Sequence, residues 1–318
     1  MEKTIQKASL GEAVAQACEK YRNFTCGAPL APSPRVADMN SGCFGMSVCL
    51  VDGTRFDAGD TQVPFAMGSM LRVPVYLQLL TQMGVDELVG KMRFEKCPCR
   101  NSSAGDDKPA AVRPKGVHAK SLRMISLVSP QGDADGKMQI ISDMMIGLMG
   151  SSPLLDDDLY KANVARSAEK DVINVLANAG YELYDATDVA LGLYDKLDSM
   201  LVTTGQIATM GATIAAGGYN PMTQTPVFDC ELAAPLTAMI ATCGHKHFRK
   251  TWMLSTGVPA VSSYGGGFLA VVPGFGSIAA FSPDLAEDKV PVRAAMAVRD
   301  VLQRFDISAF ACSPLVVK

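Results

Sequence analysis

Strand-like runs stand near both ends of this chain, and the stretch between them is helical in pattern. Residues 44–51 (FGMSVCLV) are apolar and end on Asp52-Gly53, a hairpin-turn signal, after which residues 54–58 can pair back. The other apolar runs come late, at 262–272 (SSYGGGFLAVV) and 276–282 (GSIAAFS), separated by Pro273-Gly274. Periodicity between them predicts helices over 138–149, 156–179, 186–198, 204–216 and 231–242. A helix over 1–22, with a Ser9–Glu12 capping box, and another over 291–305 complete the pattern. The fold class is therefore α+β or a two-lobed α/β: a sheet flanked by helices is completed by both ends of the chain, with a helical subdomain inserted between.

The implied division is an N-terminal helix and Pro-rich connection over 1–35, one two-lobed domain over 36–305 and a tail over 306–318. Within the domain the sheet lobe takes 36–95 and 243–305, and the helical lobe 138–242. Residues 96–137 are polar and rich in Gly, Pro, Lys and Asp, which reads as a long loop region.

Composition narrows the function. The 318 residues are 48% hydrophobic, ample for a core, and the net charge of −3 shows no basic excess that would suit nucleic acid. Only 19% are charged and 18 are Met, so part of the surface is expected to be apolar or covered by other subunits. No apolar run reaches the roughly 18–20 residues of a membrane helix. The N-terminus carries Glu2, Glu12 and Glu19 among its lysines, unlike a secretory or mitochondrial leader. An intracellular protein is expected, with cytoplasm and mitochondrion both open. Nine cysteines without a regular framework suit free thiols in a reducing compartment. Cys97-Pro98-Cys99 and His245-Lys246-His247 lack zinc-finger spacing, so no metal and no cofactor are expected.

Three stretches resemble the serine-dependent glutaminases, which share the serine β-lactamase and penicillin-binding-protein fold. They are 44–74, 208–227 (ATMGATIAAGGYNPMTQTPV) and 242–285, and the likeness spans about 36–303. The resemblance implies a Ser-x-x-Lys pair at the start of a buried helix. A serine hydroxyl is a weak nucleophile, and a desolvated lysine on the same helix face can take its proton. Ser69 falls where that serine belongs, but the position three later is Arg72, which stays protonated at ordinary pH and cannot act as the base.

Other positions that the resemblance marks as substrate-binding have also changed. The residue before the nucleophile is Gly68 rather than Gln, and residues 110–116 (AAVRPKG) offer no Asn. Asn163 stands where a Glu belongs, and Glu169-Lys170 stand approximately where an Arg-Asn pair belongs. Lys246 replaces a Tyr, and Val261-Ser262-Ser263 replace Lys-Ser-Gly. Tyr194 matches a tyrosine used near the nucleophile, and the Tyr264 main-chain N–H matches an oxyanion-hole donor.

Loss of one member of a nucleophile–base pair costs on the order of 10⁴ to 10⁶ in turnover. The sequence reading is therefore a glutaminase-like pseudoenzyme, acting as a structural or binding subunit in a homo-oligomer or larger assembly. Two alternatives stand beside it. One is an active serine amidohydrolase, converting L-glutamine to L-glutamate and ammonia or cleaving a related amide, with Ser69 as nucleophile and Tyr194 as base. The other is an anion or amino-acid sensor with Arg72 and Lys246 lining its pocket.

Overall fold

The computed structural model describes residues 3–29, 42–92, 119–168, 182–243, 246–287, 289–311 and 315–318. The first part of the chain forms β1 (Lys3–Ile5), α1 (Lys7–Arg22), β2 (Ala28–Pro29), β3 (Gly45–Leu50), β4 (Arg55–Gly59) and β5 (Phe65–Ala66). One 3₁₀ turn, Gly68–Leu71, then leads into α2 (Arg72–Met92). The helical part contains α3 (Ala119–Leu127), α4 (Ala134–Met149), β6 (Leu154–Leu155), α5 (Asp157–Ala168), α6 (Thr187–Asp198), β7 (Met200–Val202) and α7 (Thr204–Ala215). After β8 (Tyr219–Asn220) and β9 (Thr225–Pro226) come α8 (Ala233–Cys243) and α9 (Lys246–Thr256). The chain closes with β10 (Ala260–Ser262), β11 (Gly267–Val272), β12 (Gly276–Phe281), β13 (Asp284–Leu285), α10 (Val292–Arg304) and β14 (Leu315–Val317).

Every residue of β3, β11 and β12 is buried, which explains why these runs are apolar throughout rather than alternating. They form the middle of one antiparallel five-stranded sheet in the order β10-β11-β12-β3-β4. Both ends of the chain thus complete one sheet, as the strand pattern implies. α1 and α10 cover one face around a core that includes Phe44, Val48, Phe268 and Val298. α7 covers the other face and also packs on α4, so its residues are almost all buried. Gly211 lets α7 approach closely, since a Cβ there would lie 2.5 Å from the Ser277 Cβ. No described helix is long and apolar enough to cross a membrane.

Three expectations need correcting. α1 starts at Lys7 after Gln6, which makes no side-chain cap, so Ser9 lies inside the helix and Ser9–Glu12 is not a capping box. β1 instead leads into α1 and pairs in parallel with β14. The polar region before residue 138 contains α3 and the first turn of α4, where Asp133 caps by accepting from the Gly136 N–H at 2.9 Å. The run 262–272 is not one strand: it joins the last residue of β10 to β11 through a turn at 263–266, where Gly266 takes φ +97°. Lys246–Thr256, between the two strand groups, is a helix that the apolar pattern did not announce.

One charge pair anchors the helical part. Lys137 on α4 and Asp185 are both wholly buried and pair directly, and the ammonium also donates to the Ser126 carbonyl at 3.1 Å. The second Asp185 oxygen accepts from the Gly132 N–H at 2.8 Å. Removing one partner strands the other charge in the interior. Lys137→Met is expected to lose about 3–5 kcal/mol of unfolding free energy, read from urea denaturation. An unchanged midpoint would show that Asp185 finds another partner.

Candidate functional site

Ser69 is placed by a short strand and a glycine. β5 pairs with β7 (Phe65 opposite Val202, Ala66 opposite Leu201), and the Met67 N–H donates to the Met200 carbonyl at 2.8 Å. The chain then turns at Gly68, whose φ of +50° favours glycine. A Cβ at Gly68 would also meet the Tyr264 ring at 2.7 Å and the Ser263 Oγ at 2.8 Å. Gly68 is thus fitted to the aromatic ring that lies over it. The Ser69 hydroxyl donates to the Ser262 carbonyl at 2.8 Å, which ties the turn to the sheet edge. Ser263 adds a second tie, donating to the Ala66 carbonyl at 2.7 Å and accepting from the Gly265 N–H at 2.9 Å.

Arg72 lies one helical turn on from Ser69 and is half-buried. Its Nε donates to the Ser121 hydroxyl at 3.2 Å, on α3. The hydroxyl of Ser69 and the guanidinium are therefore each engaged, but the bond from Ser69 goes to the sheet and not to Arg72. α6 packs against the Gly68–Leu71 turn and carries Tyr194 and, one turn later, Asp198. Burial, followed by the charge of Asp198, pushes the Tyr194 phenol well above its ordinary value, while the Arg72 guanidinium pulls it back. At neutral pH that phenol keeps its proton.

Asp198 is the least expected member of the cluster. It is 3% exposed, at the C-terminal residue of α6, where a negative charge faces the unfavourable end of the helix dipole. Its Oδ2 accepts from the Tyr264 hydroxyl at 2.6 Å, lies 3.5 Å from the Asn163 Nδ2 and 3.9 Å from an Arg166 nitrogen. Its Oδ1 is buried and has no hydrogen-bond partner. Burial pushes the Asp198 carboxyl up to about 6. Asn163 donates to the Ser199 hydroxyl at 2.8 Å, and its carbonyl oxygen accepts from Arg166. Burial and then the charge of Asp198 also hold the Tyr264 phenol far above its ordinary value.

The structure thus brings Gly68, Ser69, Arg72, Asn163, Tyr194 and Tyr264 together. The Lys246 side chain lies outside the described residues, as do residues 110–116, Glu169-Lys170 and the side chains of Cys97, Cys99, His245 and His247. Among the described residues, no group of three or more His, Cys, Asp and Glu could hold a metal. A cavity of about 410 Å³ lies elsewhere, at the start of α7 between Arg55, Ser151 and Gly205. Asp198, Ser199 and Arg166 were missed from sequence. An Asp at a helix C-terminus, four residues after a candidate tyrosine, was the available signal.

The raised Asp198 carboxyl has a consequence for stability. A carboxyl that holds its proton more tightly folded than unfolded, here about 6 against 3.8, adds native stability as pH falls through that window and costs stability above it. The size is on the order of 3 kcal/mol at most. Asp198→Asn is expected to stabilise the protein by about 1–3 kcal/mol at pH 8 and not at all near pH 4, read from urea midpoints at both pH values. Destabilisation at pH 8 would show that the ionised carboxylate is well compensated.

The glutaminase family profile matches residues 29–310. A glutaminase of Bacteroides thetaiotaomicron is 33% identical over 322 aligned positions, covering 100% of this chain and 99% of the relative. One from Parabacteroides distasonis is 31% identical, covering 98% and 97%. Among solved structures, a probable glutaminase, ybaS, superposes with a TM-score of 0.85 at 27% identity, covering 96% of this chain and 99% of the other. A probable glutaminase from Bacillus subtilis, complexed with 6-diazo-5-oxo-L-norleucine, shares the fold with a TM-score of 0.78 at 22% identity, covering 95% and 96%. The mixed α/β architecture with its antiparallel sheet is the β-lactamase-like fold of these structures, and the chain belongs to the glutaminase family.

Proposed function

We propose that the chain is a glutaminase-type serine amidohydrolase, in which Ser69 attacks the carboxamide of a small substrate and Tyr194 takes the serine proton. The observation that carries this reading is the placement of Ser69. It opens a buried helix beside the tyrosine-bearing α6, in a chain matched from end to end by glutaminases. The Ser69 hydroxyl has only to turn away from the Ser262 carbonyl to present a lone pair to substrate. Attack builds a tetrahedral oxyanion, for which the Tyr264 N–H, which has no acceptor among the described residues, is the nearby main-chain donor. Tyr194 then returns its proton to the departing ammonia, and water hydrolyses the acyl-serine.

Arg72 cannot share that work, because a guanidinium does not deprotonate. Its part is electrostatic: it favours the phenolate of Tyr194. With the phenol still far above its ordinary value, the competent form is scarce at neutral pH, and turnover is slow and grows with alkalinity. An intracellular protein fits this reading, since the described cysteines Cys18, Cys26, Cys43, Cys49 and Cys230 are free.

A second reading is favoured by a specific observation. Arg72 holds the place of the lysine base, and the Tyr264 ring lies directly against Gly68 beside the nucleophile. On that reading the site has left catalysis and the chain works as a binding subunit.

One experiment separates the two. The protein is incubated with 6-diazo-5-oxo-L-norleucine between pH 7 and 10, and adducts are mapped by mass spectrometry, alongside ammonia release from L-glutamine. The first reading expects an adduct on Ser69 and ammonia release that rises about tenfold per pH unit, both absent in Ser69→Ala and the slope lost in Tyr194→Phe. No adduct and no Ser69-dependent ammonia at any pH would leave the second reading.

A further inference from the structure

The cavity at the start of α7 has a volume of about 410 Å³, enough for a small molecule. None of the residues gathered around Ser69 lines it. Its charge is one-sided, because Arg55 is the only charged residue among the described ones that line it. The guanidinium lies against the first turn of α7, with Nη1 3.1 Å from where a Gly205 Cβ would stand, and the bare glycine leaves it that place. A cation there faces the positive end of the helix dipole. Asp57 offsets part of the charge through one oxygen, Oδ2, which accepts from the Arg55 Nε at 2.9 Å and Nη2 at 2.6 Å. Nη1 has no acceptor among the described residues.

The turn beside the guanidinium is also short of acceptors. Thr203 and Gln206 close a capping box that satisfies their own N–H groups. The N–H groups of Thr204 and Gly205 have no acceptor among the described residues. The Thr204 hydroxyl, wholly buried in the same turn, has no hydrogen-bond partner either. Donors left open in this way cost free energy, and a guanidinium edge beside a helix start is suited to an anion. Met149, Leu154, Leu201 and Val202 make the lining partly apolar, and Leu154 is 59% exposed. A bare inorganic anion leaves that surface uncovered, whereas an anion with an apolar body covers it. One guanidinium, already shared with Asp57, balances a single negative charge and not a dianion.

We propose that this cavity is a second ligand site, for a small monocarboxylate with an apolar body. The carboxylate meets Arg55 and the start of α7, and the body lies on Met149 and Leu154. The site adjoins the nucleophile turn, since Pro64 lines it together with Leu201 and Val202, which pair with Ala66 and Phe65. It stands whether or not Ser69 is active.

The test is a titration of the full chain, carrying carbon-13 at its methionine methyls, with 3-phenylpropanoate, with 3-phenylpropan-1-ol and with acetate. The Met149 methyl, assigned from Met149→Leu, reports on the cavity, and the Met70 methyl reports on the surroundings of Ser69. 3-Phenylpropanoate is expected to shift Met149 with a dissociation constant of about 1 mM or lower, roughly tenfold below those of the alcohol and of acetate. Arg55→Gln, checked for cooperative unfolding, is expected to bring the carboxylate to the affinity of the alcohol. Should that variant fail to fold, Ser152→Glu, at an exposed lining position, serves in its place and is expected to weaken the carboxylate alone. A Met149 methyl unmoved by the carboxylate at about 10 mM, or shifts confined to Met70, would overturn the proposal. So would alcohol or acetate binding as tightly as 3-phenylpropanoate, or a carboxylate preference that survives the charge change.

Discussion

The crossing at Ala66 is the contact on which the site depends. Ala66 pairs with Leu201 on one side, accepts from the Ser263 hydroxyl on the other, and runs directly into the turn that carries Ser69. Three parts of the chain far apart in sequence meet there: the entry to α2, the exit from α6, and the edge of the main sheet. Gly265 shows how tightly they meet, since a Cβ at that residue would lie 2.2 Å from the Ala66 carbonyl oxygen. Phe65 stacks on Phe281 of β12 with ring centroids 4.7 Å apart, which fixes the same crossing to the sheet interior. With the crossing held, the helix start, the Tyr194 face of α6 and the Tyr264 turn have little freedom relative to one another.

This rigidity shapes the electrostatics. A carboxylate at the end of α6 cannot relax toward water, because its helix is clamped by β7 against β5. Asp198 therefore bears the desolvation cost in place, and Tyr194 and Tyr264 feel its charge through a medium of low dielectric. Hydrogen bonding and burial act in opposite directions on Asp198, and burial wins. Such a group is retained at a cost to the fold, and sites that oppose stability in this way are where function is to be sought.

Much of the fold was legible because two signals agreed. The apolar runs 44–51 and 276–282 lie in strands buried on both faces, and such strands read as unbroken apolar sequence. α7 was legible for the same reason, since it is buried nearly all round. β5, β6 and β7 were not legible, because strands of two or three residues carry no periodicity. α3 was hidden by its polar neighbours, and α9 is a polar, surface helix whose sequence KHFRKTWMLST looks like a loop. Of the site, Ser69 and Tyr194 were found through their resemblance to a family. The Tyr264 side chain was not given a role, because its interest was read as main chain alone. Asp198 was missed because only the folded chain shows that its charge is inside.

The fit of the altered residues to one another bears on what the alterations mean. Loss of function under no constraint leaves misfits: cavities, strained rotamers, unpaired groups scattered at random. Here Gly68 has no Cβ where the Tyr264 ring needs the space, the ring delivers its hydroxyl to Asp198 at 2.6 Å, and Asp198 stands beside Asn163. Gly68 and the Tyr264 ring are fitted to each other, since a larger residue at 68 would collide with the ring at a backbone angle that already favours glycine. Their effects on stability must be non-additive, as for any pair in direct contact. Among the described residues several buried polar atoms lack a hydrogen-bond partner, and the Asp198 Oδ1 belongs to the helix that packs on the nucleophile turn.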